Sequence, residues 1–190
     1  MKTVFFDVDT QLDFLYPAGA LYVPGAETIV KSLAELTNFA VANRIQIIST
    51  MDAHTEDDPE FKSWKPHCVA GTNGQQKAAV TLLNKRMVLT DAAEAKDGAQ
   101  IIVEKQKLDC FTNPHLKPLI HLLKAERFVV YGVVTELCVQ CAAFGLLELG
   151  ASVEVVTDAI KSLSPTAERD VMERFQAQGG QLTTVASVTA

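Results

Sequence analysis

The chain has 190 residues, 48% of them hydrophobic and 21% charged, with a formal net charge of -6. That length suits a single domain spanning residues 1–190, and the composition excludes disordered, collagen-like and low-complexity classes. No apolar run reaches the ~20 residues of a membrane span, and the acidic balance argues against nucleic acid, whose phosphates require a basic face.

The opening Met1-Lys2-Thr3-Val4-Phe5-Phe6-Asp7 meets an acid too early for a secretory signal, so a cytoplasmic location is expected. In that compartment Cys68, Cys110, Cys138 and Cys141 remain thiols. Thr3 to Val8 is a short Val/Phe-rich run, the signature of a buried strand. Ile29, Leu33, Leu36 and Ala40 recur at helical spacing within 26–43, after Pro24-Gly25. Ile45 to Thr50 reads as a second strand. A polar stretch from Asp52 to Gln76 follows, punctuated by Pro59, Pro66, Gly71 and Gly74, and its length marks it as functional.

Within 77–100, Ala78 to Leu83 looks helical and Met87 to Leu89 could be extended. Ile101–Val103 is the third strand, Pro114–Lys124 a helix and Phe128–Val133 the fourth strand. Leu137–Leu149 is a helix stopped by Gly150. Val153–Val156, a helix over Pro165–Gln178 and a sixth strand at Leu182–Val185 complete the chain. Doubly apolar strands alternating with amphipathic helices predict a three-layer, Rossmann-like α/β sandwich. Its six-stranded, mainly parallel sheet carries helices on both faces.

Ligands in such sheets bind beyond the carboxyl ends of the strands. Asp9 ends the first strand, Asp52 and His54 follow the second, Lys105 the third, Thr135, Glu136 and Cys138 the fourth, and Asp158 the fifth. Any one polar residue there could simply meet solvent. An acid, a lysine and a thiol from three different strands form a chemically coherent set. Cys138 at a helix start would gain from the macrodipole, and a Lys105 ammonium would favour its thiolate. Asp9 would act as general acid-base, and backbone N–H groups around Cys138 would stabilise an oxyanion. Such a thiolate attacks carbonyls to form an acyl-enzyme. Asp52-Ala53-His54 with His67 in a Pro/Gly loop offers one oxygen and two nitrogen ligands, leaving open positions as catalytic metal sites require.

Asp9-Thr10-Gln11-Leu12-Asp13-Phe14 followed by Gly19-Ala20-Leu21 resembles the D-x-Q-x-D-F and G-A-L start of the isochorismatase-like cysteine hydrolases. Asp52-Ala53-His54 resembles their D-x-H. Pro66-His67-Cys68-Val69-Ala70-Gly71-Thr72-Asn73-Gly74 is similar to the P-H-C-V-x-G-T-x-G stretch of the nicotinamidases among them. Lys105 stands where the family lysine does, and Gly132-Val133-Val134-Thr135-Glu136-Leu137-Cys138-Val139 resembles the segment around the nucleophile. The resemblance runs from about residue 3 to residue 160. It implies a catalytic triad of Asp9, Lys105 and Cys138, and a cis peptide between Val133 and Val134. It further implies an oxyanion hole from the Val134 and Cys138 N–H groups. Asp52, His54 and His67 would bind a divalent ion, zinc first, with iron or manganese as alternatives, which holds the pyridine nitrogen and waters near the thiol. The implied reaction deamidates nicotinamide to nicotinic acid and ammonia, with pyrazinamide also accepted. The implied partners are a small amide and further copies of the chain in a homo-oligomer, with no nucleic acid and no membrane.

The sequence departs from the nicotinamidase pattern in places. The loop Thr55-Glu56-Asp57-Asp58-Pro59-Glu60-Phe61 is short and acidic, and offers Glu56, Asp58 or Glu60 as a fourth metal ligand. Leu137 replaces a common aromatic residue, and Asp109-Cys110-Phe111-Thr112 replaces D-S-Y-S. These changes leave room for another small amide, or a carbamoyl or ureido compound, as substrate. Phe14, Trp64, Phe111 and Leu137 are expected in the walls of a slot for a flat ring. Cys138-Val139-Gln140-Cys141 also spells a CxxC, the mark of a thiol redox protein, although a small buried residue is the simpler reading of Cys141. Cys68 reads as a packed thiol, and Cys110 approaches the pocket without an assigned role. His115 and His121 suit packing or surface roles, and Lys107 is the more distant rival of Lys105. Gln11 and Asp13 would orient the first turn.

Overall fold

The computed structural model describes residues 2–190. Its strands are β1 (Thr3–Val8), β2 (Gln46–Asp52), β3 (Arg86–Val88), β4 (Gln100–Lys105), β5 (Arg127–Val133), β6 (Ser152–Lys161) and β7 (Gln181–Thr183). They form one seven-stranded sheet in the order β3-β4-β2-β1-β5-β6-β7, with every neighbouring pair parallel. The helices are α1 (Leu12–Leu15), α2 (Val30–Ala42), α3 (Ala92–Ala95), α4 (Leu116–Leu123), α5 (Gln140–Glu148), α6 (Pro165–Ala177) and α7 (Val185–Val188).

The three-layer α/β expectation holds, with seven strands in place of six. The added strand is β3, an edge element of three residues overlapping Met87–Leu89, the stretch that on sequence alone could be extended; with Val88 exposed, its apolar pattern is too short to count as a strand by itself. Two other readings are corrected. Residues 78–83 make a single 3-10 turn at Ala79–Thr81, because Ala78 N–H is spent on Thr10 O and Lys77 is drawn into the core by Asp7. Val185 begins α7 where a strand was expected, since the Thr184 hydroxyl accepts from Ser187 N–H and caps the turn.

Period-two burial sorts the central strands between two cores. Val4, Phe6 and Val8 of β1 face one core, into which α4 sends Leu116, Leu119, Ile120 and Leu123 and α6 sends Val171, Met172 and Phe175. Phe5 faces the other core with Leu33, Leu36 and Ala40 of α2 and Val185 and Val188 of α7. The apolar spacing of α2 and α6 thus does what amphipathic helices must do over a doubly covered sheet.

The strand order has a direct consequence for function. From β1 the chain crosses to β2 on one side, whereas from β5 it crosses to β6 on the other. The connections therefore diverge between β1 and β5, and a crevice opens at the carboxyl ends of these two neighbours. Asp9 leaves β1 and Cys138 follows β5, so the sequence places its acid and its thiol on the two lips of that crevice.

Candidate active site

Asp9 sits at φ 48°, in the left-handed region that non-glycine residues avoid. Thr50 of β2 holds it there: the Thr50 hydroxyl donates to Asp9 Oδ1 at 2.6 Å, and Asp9 N–H is directed at Thr50. Parallel register sets Asp52 of β2 directly beside Lys105 of β4. The lysine then reaches inward beneath the end of β2. Its Nζ lies 2.9 Å from Asp9 Oδ2 and 3.6 Å from Cys138 Sγ, and also donates to Asp52 Oδ1. The acid, the lysine and the thiol from three strands therefore meet, and all three are buried.

Cys138 stands inside a five-residue π turn, Thr135–Val139, ahead of α5 rather than at its first residue. Such turns frequently occur at functional sites. The peptide bond between Val133 and Val134 is cis, as the resemblance implies.

The electrostatics differ from the expected resting thiolate. Burial works against the Lys105 ammonium, but the Asp9 and Asp52 carboxylates raise its pKa well above the ordinary lysine value. Burial would raise Asp52, yet Lys105 and His54 outweigh it and hold the carboxyl below its usual range. For Asp9 burial wins over Lys105, with Asp52 adding to it, and the pKa rises. Burial also pushes the Cys138 thiol well up; Lys105 opposes this, and Asp9 and Asp52 reinforce it. Cys138 thus keeps its proton in the resting protein, beside a carboxylate made more basic by the same burial.

Asp52, His54 and His67 form a second buried group, each offering one ligand atom within 4.8 Å of the others. His54 Nε2 is 3.9 Å and His67 Nε2 4.0 Å from Asp52 Oδ2. The opposite ring nitrogens are taken: His54 Nδ1 pairs with Asp58 Oδ2 at 3.0 Å, and His67 Nδ1 with Lys65 O at 2.7 Å. Donation from Nδ1 leaves a lone pair on each Nε2 facing Asp52, the arrangement of metal-binding histidines. His54 Nε2 is buried without a hydrogen-bond partner. Two imidazole nitrogens, one of them the orphaned His54 Nε2, and one carboxylate fit a divalent cation such as zinc. Burial pushes the His54 imidazole down, but the Asp52 and Asp58 carboxylates outweigh it and draw it up. Of the acids in the short loop, Asp58 orients His54, Glu60 lines the neighbouring cleft, and Glu56 is exposed.

The first turn supports both groups. Gln11 grips Asp52 and also donates to Gln75 O. Asp13 Oδ2 accepts from Cys68 N–H at 2.7 Å, next to His67, and Oδ1 accepts from Ala20 N–H at 2.9 Å. Cys68 itself has φ 45° and is packed in the core, where burial raises its thiol.

A small cleft, with a cavity volume of about 60 Å³, leads to these groups. Asp9, Asp52, His67 and Cys138 lie along it, with Phe14, Trp64, Leu137, Val133 and Val134 as apolar walls. Glu60 of the acidic loop also lines it, together with Leu21, Tyr22, Val23, Leu108 and Leu163, which only tertiary folding brings there. Phe14 and Phe61 flank the His67 ring at centroid distances of 5.5 and 5.7 Å.

Phe111 does not line this cleft. Asp109 caps the 3-10 turn Cys110–Thr112 by accepting from Phe111 N–H, and the ring is laid on Gly145 of α5. There it borders a separate hollow with Cys141 and Phe144. The two sulfurs of the CxxC therefore serve different surroundings, Cys138 the cleft and Cys141 the hollow. Asp158 lies within β6 rather than at a strand end, and accepts from Val185 N–H at 2.9 Å. Lys107 is exposed, and His115 and His121 lie on and before α4 away from the cleft. No helix among the described residues is long and apolar enough to cross a membrane.

Comparison with known proteins agrees with this architecture. The nicotinamidase of Escherichia coli (strain K12) is 25% identical, covering 94% of this chain and 93% of its own. The nicotinamidase/pyrazinamidase of Mycobacterium tuberculosis (strain ATCC 25618 / H37Rv) is 22% identical over 92% of this chain and 95% of its own. The crystal structure of the pyrazinamidase of Pyrococcus horikoshii in complex with zinc superposes with a TM-score of 0.84 at 25% identity, covering 97% of this chain and 99% of that one. The isochorismatase domain matches residues 3–187, and the chain belongs to the isochorismatase family.

Proposed function

We propose that this protein is a metal-assisted cysteine amidohydrolase that converts nicotinamide to nicotinic acid and ammonia, with pyrazinamide also a substrate. The observation that carries the reading is the buried Lys105 ammonium held against both Asp9 and Cys138, which themselves line a cleft with apolar walls. Asp9 takes the Cys138 proton as Sγ attacks the amide carbon. The N–H groups of Val134 and Cys138 stabilise the oxyanion, and Lys105 keeps the charge of Asp9 and sulfur in balance. Asp9 then gives its proton to the amide nitrogen, the C–N bond breaks, and ammonia leaves a thioester. A water attacks the thioester while Asp9 accepts its proton; the C–S bond breaks, Cys138 recovers a proton, and the carboxylic acid is released.

Asp52, His54 and His67 would hold the divalent ion, zinc first and iron or manganese as alternatives. When bound, it supplies a Lewis-acid anchor for a ring nitrogen or a water. Phe14, Trp64 and Leu137 bracket the flat ring.

The described lining of the cleft carries the carboxyls of Asp9, Asp52 and Glu60, whose charge Lys105 and a divalent ion held by Asp52, His54 and His67 would offset. The homologous nicotinamidases support a ring carboxamide as the substrate class.

The test is ammonia release from nicotinamide, pyrazinamide and N-carbamoyl amino acids, with and without chelator, beside Cys138→Ala. Turnover of the two ring amides, its abolition in Cys138→Ala and its loss on chelation are expected. Undiminished turnover by Cys138→Ala overturns the acyl-enzyme, and preference for the carbamoyl acids overturns the substrate class.

A further inference from the structure

The outer wall of the cleft is built from a residue that catalysis does not use. Leu163, in the turn between β6 and α6, lines the cleft yet remains 48% exposed. A large apolar side chain half open to solvent at the mouth of a ligand cleft is one whose exposed face a ligand can cover.

Leu163 is not left to move freely. Glu136 belongs to the π turn that presents Cys138, and its Oε1 accepts from Leu163 N–H at 2.9 Å and Ser164 N–H at 3.1 Å. Ser164 caps α6, so the carboxylate also sits where the helix dipole favours an anion. One more link joins the same segments: the Thr135 hydroxyl lies 3.4 Å from Oε2 of Glu168 in the first turn of α6. Farther along, Arg174 in the last turn of α6 donates from Nη2 to Oε1 of Gln140, the first residue of α5, at 3.0 Å. The nucleophile's turn and the start of α6 are therefore bolted together, and the spacing between Cys138 and the Leu163 wall is set by Glu136. Oε2 of Glu136 is buried without a partner, which a side chain held only for surface solubility would not tolerate.

We propose that Leu163 is a specificity-determining residue that packs on the outer edge of a six-membered aromatic carboxamide, and that Glu136 is the positioning residue that holds it at that distance. This rests on the carboxamide reading above. A planar ring long enough to reach from Cys138 to the mouth touches Leu163; a short aliphatic amide ends before it.

The experiment compares Leu163→Ala, Glu136→Ala and Glu136→Gln with the wild type, using nicotinamide and propionamide in parallel. Leu163→Ala is expected to raise KM for nicotinamide roughly tenfold, the scale of lost apolar contacts in a binding pocket, with kcat nearly unchanged and propionamide kinetics unmoved. Glu136→Ala is expected to raise the nicotinamide KM relative to that of propionamide and to accelerate amide hydrogen exchange at Leu163 and Ser164. Glu136→Gln retains an acceptor oxygen and is expected to restore most of both. An unchanged ratio of nicotinamide to propionamide KM in Leu163→Ala overturns the specificity role, and this variant keeps the test decisive if Glu136→Ala fails to fold. Slow exchange at both amides in a folded Glu136→Ala, or a loss confined to kcat, overturns the positioning role. A wild type that releases no ammonia from nicotinamide sinks the substrate reading instead, and the exchange measurement still judges the clamp.

Discussion

Gln11 holds Asp52 by the backbone on both sides: its Nε2 donates to Asp52 O at 2.9 Å, and its Oε1 accepts from Asp52 N–H at 2.7 Å. This pairing bridges the turn after β1 to the end of β2, and it presents the one carboxylate that serves both Lys105 and the two histidines. Gln11→Ala strands a buried donor and acceptor, each costing about 1–3 kcal/mol. Chemical denaturation should show a stability loss of that order, and metal titration a weaker affinity. Wild-type values for both would remove Gln11 from the site's support.

Asp9 must be unprotonated to accept the Cys138 proton, and burial raises its pKa. A raised pKa keeps the carboxyl protonated to higher pH, so activity should fall as pH drops through a value above the ordinary ~3.9 of aspartate. The acidic limb of kcat/KM, measured at saturating metal, reads this. A limb at or below the ordinary value would contradict the buried, basic Asp9.

The resting Cys138 thiol is held protonated by burial and by Asp9 and Asp52 against the pull of Lys105. Alkylation of Cys138 followed by mass spectrometry should therefore stay slow at pH 7 to 8, since the thiolate fraction falls as the pKa rises. Removing the carboxylate in Asp9→Asn should speed it. Rapid wild-type modification, slowed by that substitution, would assign a resting thiolate instead.

Cys141 borders a different hollow from Cys138. Cys141→Ser should keep near-normal ammonia release, whereas Cys138→Ala should abolish it. Comparable losses in both would favour a dithiol function.

Gly132 has φ 122°, and an added Cβ would overlap Val8 O of the neighbouring strand. Gly132→Ala combines backbone strain with an overlap that cannot relax without parting β5 from β1. A loss beyond about 4 kcal/mol, or failure to fold, is expected in denaturant unfolding.

For the metal group, exchange of His67 for Ala should lower bound zinc measured by elemental analysis, and chelated protein should regain activity with zinc, iron or manganese. Retention of a full equivalent of zinc by His67→Ala would exclude that residue as a ligand.

The sequence by itself determined the layered α/β class, because burial on both faces writes continuous apolar strands and amphipathic helices into local pattern. It also pointed to Asp9, Asp52, His54, Lys105 and Cys138 as candidates, since each stands at or near a strand end, and to His67 through its Pro/Gly loop and the family resemblance. Folding decided what depends on distant partners. Strand order placed the crevice between β1 and β5; packing on Gly145 turned Phe111 away; and desolvation by the assembled core set the proton on Cys138. Leu163 and Glu136 show the same division, since a wall and its clamp are joined by a contact across 27 residues that no local pattern records.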